Sequence, residues 1–293
     1  MVESRHAMYR PPAESRSALI RVADGCPHNA CAFCAMYRGV PYRAHDQAEM
    51  MRSIDATAAA NPGARRVFLA DGDVLALPTP TLAWLLDRLH ERFPNLSRVN
   101  CYASGQALAA KSDGELAALR GKGLHTLYVG LESGSADVLR LMAKAGAVED
   151  MVDGCRRAQE AGLAVSVMIL IGIGGRDMSA EHARQTVVAV NAMQPRLLSC
   201  LRLVPVPGTP LMRRIEGGRF LQLTEEEAVR ELRAILAGLE MRHTVFRADH
   251  SSNILPLAGR LPRDKAALLE ELDELLRCGV LDHHTPGPMP AAL

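Results

Sequence analysis

The chain has 293 residues, enough for one large domain or two small ones with a sizeable core. Its 34 Lys and Arg against 33 Asp and Glu leave a formal charge of +1, so composition supplies no basic footprint for a nucleic-acid partner. Glu3, Arg5 and Arg10 stand in an N-terminus without an apolar run, unlike a signal peptide. No stretch nears the ~18 apolar residues of a membrane span, and a cytoplasmic protein with no membrane partner is expected.

Residues 1–16 read as an extended lead-in, with Pro11 and Pro12 opposing helix. A strand over 17–23 follows, and then Cys26-Pro27-His28-Asn29-Ala30-Cys31-Ala32-Phe33-Cys34-Ala35-Met36-Tyr37, which holds three of the seven cysteines. The other four, Cys101, Cys155, Cys200 and Cys278, are widely spaced and read as small apolar residues, not as a disulfide framework. A helix over 46–60 ends at Asn61-Pro62-Gly63. A short strand over 67–70 leads into Asp71-Gly72-Asp73 and a helix over 80–93 that opens on Pro80. The third strand, 98–103, runs into Ser104-Gly105, and Ser112 with Glu115 forms a capping box before a helix ending near Gly121. The fourth strand, 125–131, ends at Glu132-Ser133-Gly134, ahead of a broken helical region over 135–162. The fifth, 164–171, is closed by Gly172, Gly174 and Gly175, with a helix over 179–193. After a sixth strand over 197–204, Thr224 and Glu227 cap a helix to about Leu239.

Six strand-then-helix units point to a parallel α/β architecture, which a partial barrel and a doubly wound sheet satisfy equally. Alternation along the strands puts Arg21, Asn100, Tyr102, Tyr128, Glu132, Ser166 and Arg202 on the faces opposite the apolar ones. Such a set either lines a polar binding lumen or forms ion pairs for structure alone, because a buried charge needs a partner. Beyond the sixth unit, the stretch 243–257 is rich in polar residues, among them His243 and His250, and reads either as a segment that closes the open end of the barrel and touches substrate or as an Asx/Ser-rich loop satisfying its own backbone. A helix over 262–277 carries an apolar stripe of Leu268, Leu269, Leu272, Leu275 and Leu276, and 283–293 is expected to be a disordered tail. The expected organisation is thus a lead-in, a main domain over 17–240, a capping extension over 241–282, and the tail.

Three close thiolates suit a soft metal or an iron–sulfur cluster, and three leave one position open. One reading is a [4Fe–4S] cluster with a free fourth iron. The other is zinc on Cys26, Cys31 and Cys34, with His28 or His45 as the fourth ligand.

The cysteine loop after the first strand, with Phe33 before its third cysteine and Met36-Tyr37 behind, resembles that of the radical S-adenosylmethionine (radical SAM) superfamily. This chain reads C-x4-C-x2-C, whereas C-x3-C-x2-C is the commonest spacing there. The order of the later turns resembles the coproporphyrinogen-dehydrogenase and elongator-like class. The resemblance implies a partial (β/α)6 TIM-like barrel with a short C-terminal helical extension. It implies a [4Fe–4S] cluster on Cys26, Cys31 and Cys34, with S-adenosylmethionine (SAM) on the open iron. Phe33 would pack against the adenine. Asp71, Gly72 and Asp73 would receive the methionine amino group, and Ser104 would contact the ribose. Glu132 and Ser133 would contact ribose or substrate, Lys144 the methionine carboxylate, and the Gly172 turn would lie near the adenine. Met168 stands where related proteins often carry an acidic residue. A reduced flavodoxin or ferredoxin would supply the electron, and the radical would act on a small-molecule or peptide substrate. Tyr102, Tyr128, Arg202 and His250 are the candidate catalytic residues. Radical methyl or methylthio transfer, and a zinc-stabilised binding protein, are the alternatives.

Overall fold

A computed structural model describes residues 8–288 and 290; residues 1–7 of the lead-in and 289 and 291–293 of the tail lie outside the described residues. The chain forms two compact units, one built from residues up to Asn29, from 36–129 and from 153–165, the other from 30–35, 130–152 and from Ser166 onward.

In chain order, a 3-10 turn (Pro12–Glu14) precedes β1 (Ala18–Arg21), and β2 (Ala23–Asp24) pairs with β3 (Arg43–Ala44). Helix α1 (Gln47–Ala60) starts on a capping box, Asp46 accepting from the Glu49 N–H and Glu49 returning the contact. Strand β4 (Arg66–Ala70) has four consecutive buried residues, as a strand covered on both faces requires. Then come α2 (Thr79–Arg92), β5 (Arg98–Ala103), α3 (Gly105–Ala110), α4 (Asp113–Gly121) and β6 (Leu124–Glu132). The later part holds α5 (Ala136–Leu141), α6 (Val148–Glu160), β7 (Ala164–Ile171), α7 (Gly175–Met193), β8 (Leu197–Arg202), α8 (Pro210–Glu216) and α9 (Glu225–Gly238). Strands β9 (Thr244–Ala248) and β10 (Leu257–Leu261) and helix α10 (Lys265–Arg277) complete it.

The large sheet has the order β1-β4-β5-β6-β7-β8-β9-β10. In the first unit β1, β4, β5 and β6 pair in parallel. In the second, β7, β8 and β9 are parallel and β10 returns antiparallel. Asp71, Gly72, Asp73 and Ser104 follow the carboxyl ends of β4 and β5 in the first unit, and Ser133 and Gly172 follow those of β6 and β7 in the second.

Strands 98–103 and 164–171 match expectation residue for residue. Helix α3, capped by Ser104, and α8, capped by Thr209, arise where no helix was expected, because both are short and their caps stand apart from any long apolar period. The polar stretch after His243 also differs from expectation. It contributes β9 and β10, so the sheet has eight strands among the described residues, not six. Thr244, Phe246 and Ala248 alternate inward, a pattern of five residues that acquires meaning once β8 is present to pair with it. On α10 the apolar stripe splits: Leu268 and Leu272 are buried, while Leu269 and Leu276 line an open groove beside Arg230 and Arg233. No helix among the described residues is long and apolar enough to cross a membrane.

Candidate active site

In the first unit the turn after β4 is held by charge and by close packing. Asp71 is fully buried with φ +74° and pairs with the Arg21 guanidinium. Gly72, at φ +41°, packs on the backbone of the cysteine loop: a Cβ here would stand 2.3 Å from the Gly25 carbonyl oxygen and 2.8 Å from Cys26 Cα. Asp73 accepts hydrogen bonds from the Ser104 N–H at 3.1 Å and from its hydroxyl, which joins the turn after β4 to the one after β5. The candidates Asp71, Gly72, Asp73 and Ser104 therefore form one connected group, with Cys26 against it.

Tyr102 and Tyr128 both lie edge-on to Phe68, with ring centroids at 5.0 and 5.7 Å. Burial pushes the phenols of both, and of Tyr37, well above their usual range, so they are proton-bearing groups at neutral pH. The Tyr128 hydroxyl donates to Glu14, a buried carboxylate that also accepts from the Asn100 amide at 2.8 Å and from the Ser17 hydroxyl. Sequence reasoning missed Glu14 because the lead-in carries no periodic signal. Two of the expected lumen residues, Asn100 and Tyr128, thus serve an internal carboxylate. His45, considered as a zinc ligand, faces Asp24 at 3.2 Å. Among the described residues no three His, Cys, Asp or Glu side chains close on one metal ion.

In the second unit the cysteine loop is pinned between its last two cysteines. The Ala32 N–H donates to the Met142 carbonyl at 2.7 Å, and the Ala32 carbonyl accepts from Leu211 N–H at 2.9 Å. Phe33, partly buried, packs against a cluster that includes Val138, Met142, Ile173 and Phe220. Cys26, Cys31 and Cys34 are all partly exposed, whereas Cys101, Cys155 and Cys200 are buried and Cys278 is exposed. Glu132, at φ +62°, and Lys144 pair at 3.1 Å, both largely buried.

Arg202 donates to the carbonyls of Ser252 at 2.6 Å, Pro286 at 2.8 Å and Pro288 at 2.9 Å. Further bonds run from Glu225 N–H to the Thr285 carbonyl and from Asp282 N–H to the Glu225 carboxylate, at the start of α9. Pro286 lines a small cavity with Ile171, Gly172, Arg202, Leu203 and Leu223. The His250 ring is occupied by its own loop, with Nδ1 2.9 Å from Ser252 Oγ, and burial lowers its pKa.

Two further residues that sequence reasoning missed lie behind the turns after β6 and β7. His182 on α7 and Glu231 on α9 are buried, with Nε2 and Oε1 3.6 Å apart. Both sit on the apolar stripes of their helices, with Ala189, Val190 and Met193 on α7 and with Ala228, Leu232 and Ile235 on α9. A polar residue within such a stripe was the available signal. Burial raises the Glu231 carboxyl to about 7 and lowers His182 to about 4. As pH rises from 4.5 towards 7 the unfolded chain releases a Glu231 proton that the folded one keeps, so stability falls. As pH falls from 6.5 towards 4 the unfolded chain takes up a His182 proton that the folded one refuses, so stability falls in that direction too. The two contributions oppose each other over their common range. His182→Gln removes the second, and its urea midpoint is expected to fall steadily between about pH 5 and 6.5, where the parent stays nearly level.

A sequence-family model of the Radical SAM superfamily matches residues 20–187, more than half of the chain. The chain belongs to the radical SAM superfamily. Membership brings the superfamily's two cofactors, a [4Fe–4S] cluster and SAM. No curated protein matches the chain. Among solved structures it is similar to methylornithine synthase (PylB), with TM-score 0.52, 17% identity, 88% of this chain and 81% of that one covered. It is also similar to the methyltransferase TsrM of Kitasatospora setae with tryptophan and a SAM analogue bound, with TM-score 0.56, 20% identity and 70% and 40% coverage. The archaeal Elp3 of Methanocaldococcus infernus gives TM-score 0.53, 14% identity and 92% and 65% coverage. The chain spans about four fifths of the first and well under half of the second. At these identities the likeness is one of fold, and it agrees with the expected partial TIM-like barrel.

Proposed function

We propose that the protein is a radical SAM enzyme whose cluster is held by Cys26, Cys31 and Cys34, and that it removes a hydrogen atom from a small-molecule or peptide substrate. The observation that carries this reading is the three-cysteine loop inside the stretch that the family model matches. The local structure suits such a group. The three thiols are partly exposed, and the loop backbone is fixed at Cys26 by Gly72 and at Ala32 by Met142 and Leu211. Bound together, cluster and SAM supply a 5′-deoxyadenosyl radical, using an electron from a flavodoxin or ferredoxin.

The chain's own residues bind and orient. Asp73, fixed by two bonds from Ser104, would receive the methionine amino group, and Asp71 with Gly72 shapes the backbone of that turn. Lys144, 3.1 Å from Glu132 as its counter-charge, would hold the methionine carboxylate, and the Ser133 and Gly172 turns would border the nucleoside. Tyr102 is the hydroxyl available to substrate, since Tyr128 is committed to Glu14. Arg202 and His250 support the wall that the residues around Ser252 provide.

The test is anaerobic. Protein reconstituted with iron and sulfide is reduced with dithionite, given SAM, and assayed for 5′-deoxyadenosine by mass spectrometry beside Cys31→Ala. Deoxyadenosine from the parent and none from the variant is the expected result. One zinc per chain with no deoxyadenosine would overturn the reading.

A further inference from the structure

We propose that His182 and Glu231 are positioning residues that lock the turns after β6 and β7 into the shape that SAM binding requires. This rests on the reading that Glu132, Ser133 and Gly172 border SAM.

Glu132 is in the left-handed region, and Ser133 N–H closes back on the Leu131 carbonyl at 2.8 Å. Support comes from α7. Gly134 N–H donates to Thr186 Oγ1 at 2.9 Å, Ser135 N–H donates to Ser133 Oγ at 3.0 Å, and Ser133 Oγ lies 2.8 Å from His182 Nδ1. Thr186 Oγ1 is also 3.3 Å from the same nitrogen. Both hydroxyls accept from backbone N–H groups and keep a proton to give; with Nδ1 as their acceptor, the ring proton is on Nε2. That nitrogen is buried, has no hydrogen-bond partner, and is aimed at Glu231 Oε1 from 3.6 Å.

Glu231 holds the other turn. Its Oε1 accepts the Gly172 N–H at 2.6 Å and its Oε2 accepts the Ser179 hydroxyl. The Gly172 N–H is the first backbone donor beyond β7, where the sheet ladder no longer supplies an acceptor. A continuous buried path therefore runs from the Ser133 turn through His182 and Glu231 to the Gly172 turn, within one compact unit. Neither residue is placed to touch a reacting atom. Each fixes backbone that would border SAM.

Three Glu231 variants separate positioning from bulk stability. Alanine removes the acceptor. Aspartate keeps the carboxyl but withdraws it from Gly172. Glutamine keeps an acceptor oxygen at full length. SAM affinity of cluster-loaded protein, by equilibrium dialysis with iron counted per chain, is expected to weaken about tenfold in Glu231→Ala and Glu231→Asp. In Glu231→Gln it should stay near the parent value. His182→Ala should weaken it similarly, while His182→Asn, whose amide oxygen stands near the place of Nδ1, should restore it. In cofactor-free protein the Gly172 amide should exchange with solvent faster in Glu231→Asp than in Glu231→Gln, a readout that needs no bound group and stands even if the alanine variants fold poorly. Parent-like affinity and exchange in Glu231→Asp, or glutamine as damaging as aspartate, would overturn the inference. Gly172→Val and Glu132→Gln identify which statement has failed. If they too leave SAM affinity unchanged, the placement of SAM is wrong. If they weaken it while the Glu231 and His182 variants do not, only the positioning role is wrong.

Discussion

Gly72→Ala is expected to destabilise the first unit by about 3 kcal/mol or more and to lower iron incorporation well below one cluster per chain. Two costs add. At φ +41° any Cβ is strained, at about 1–2 kcal/mol. The new methyl would also stand 2.3 Å from the Gly25 carbonyl oxygen and 2.8 Å from Cys26 Cα, and both are backbone atoms that move only if the cysteine loop moves. Gly25 cannot retreat, since it is at φ +73° with its own missing Cβ 2.8 Å from the Val40 carbonyl oxygen. Gly39→Ala is the control. Its φ is +76° but nothing lies within 4 Å, so strain acts alone, at about 1 kcal/mol, and iron content should be unchanged. Urea midpoints and iron per chain after anaerobic reconstitution check both. Parent-like iron in Gly72→Ala would show that the loop is not seated on this turn.

The second large effect is expected at the buried ion pair next door. Asp71→Asn removes a fully buried carboxylate from the Arg21 guanidinium and keeps a side chain that tolerates φ +74°. Truncating one partner of such a pair costs about 3–5 kcal/mol, because the remaining charge stays in a poorly solvated place. The double variant Arg21→Met/Asp71→Asn should recover much of that loss, since no charge is then buried. A thermal scan series decides it: each 1 kcal/mol corresponds to about 2–4 °C in Tm for a chain of this size. If the double variant melts no higher than the single one, the cost lies in the turn's backbone and not in the charge.

Much of the architecture was legible because it is written locally. Capping boxes at Ser112 and Thr224, a Pro near the start of α2 and the glycines after β7 are each short signals whose physics involves neighbours a few residues apart. The turns that follow β4, β5, β6 and β7 were legible in the same way, since each is marked by Gly, Ser or Asp directly after an apolar run. Strands β9 and β10 were not, because five alternating residues among polar ones reveal a strand only when a partner edge is present.

By itself, then, the sequence determined the parallel α/β class, the superfamily and the cysteine loop, all carried by residues close together along the chain. The tertiary structure alone decided which polar side chains are committed to the protein. Glu14 takes the Tyr128 hydroxyl from 114 residues away, His182 meets Ser133 across 49, Glu231 meets Gly172 across 59, and Arg202 meets Pro286 across 84. A buried polar group must find a partner wherever the fold brings one, and that choice is set by packing between distant segments, not by spacing within any one of them.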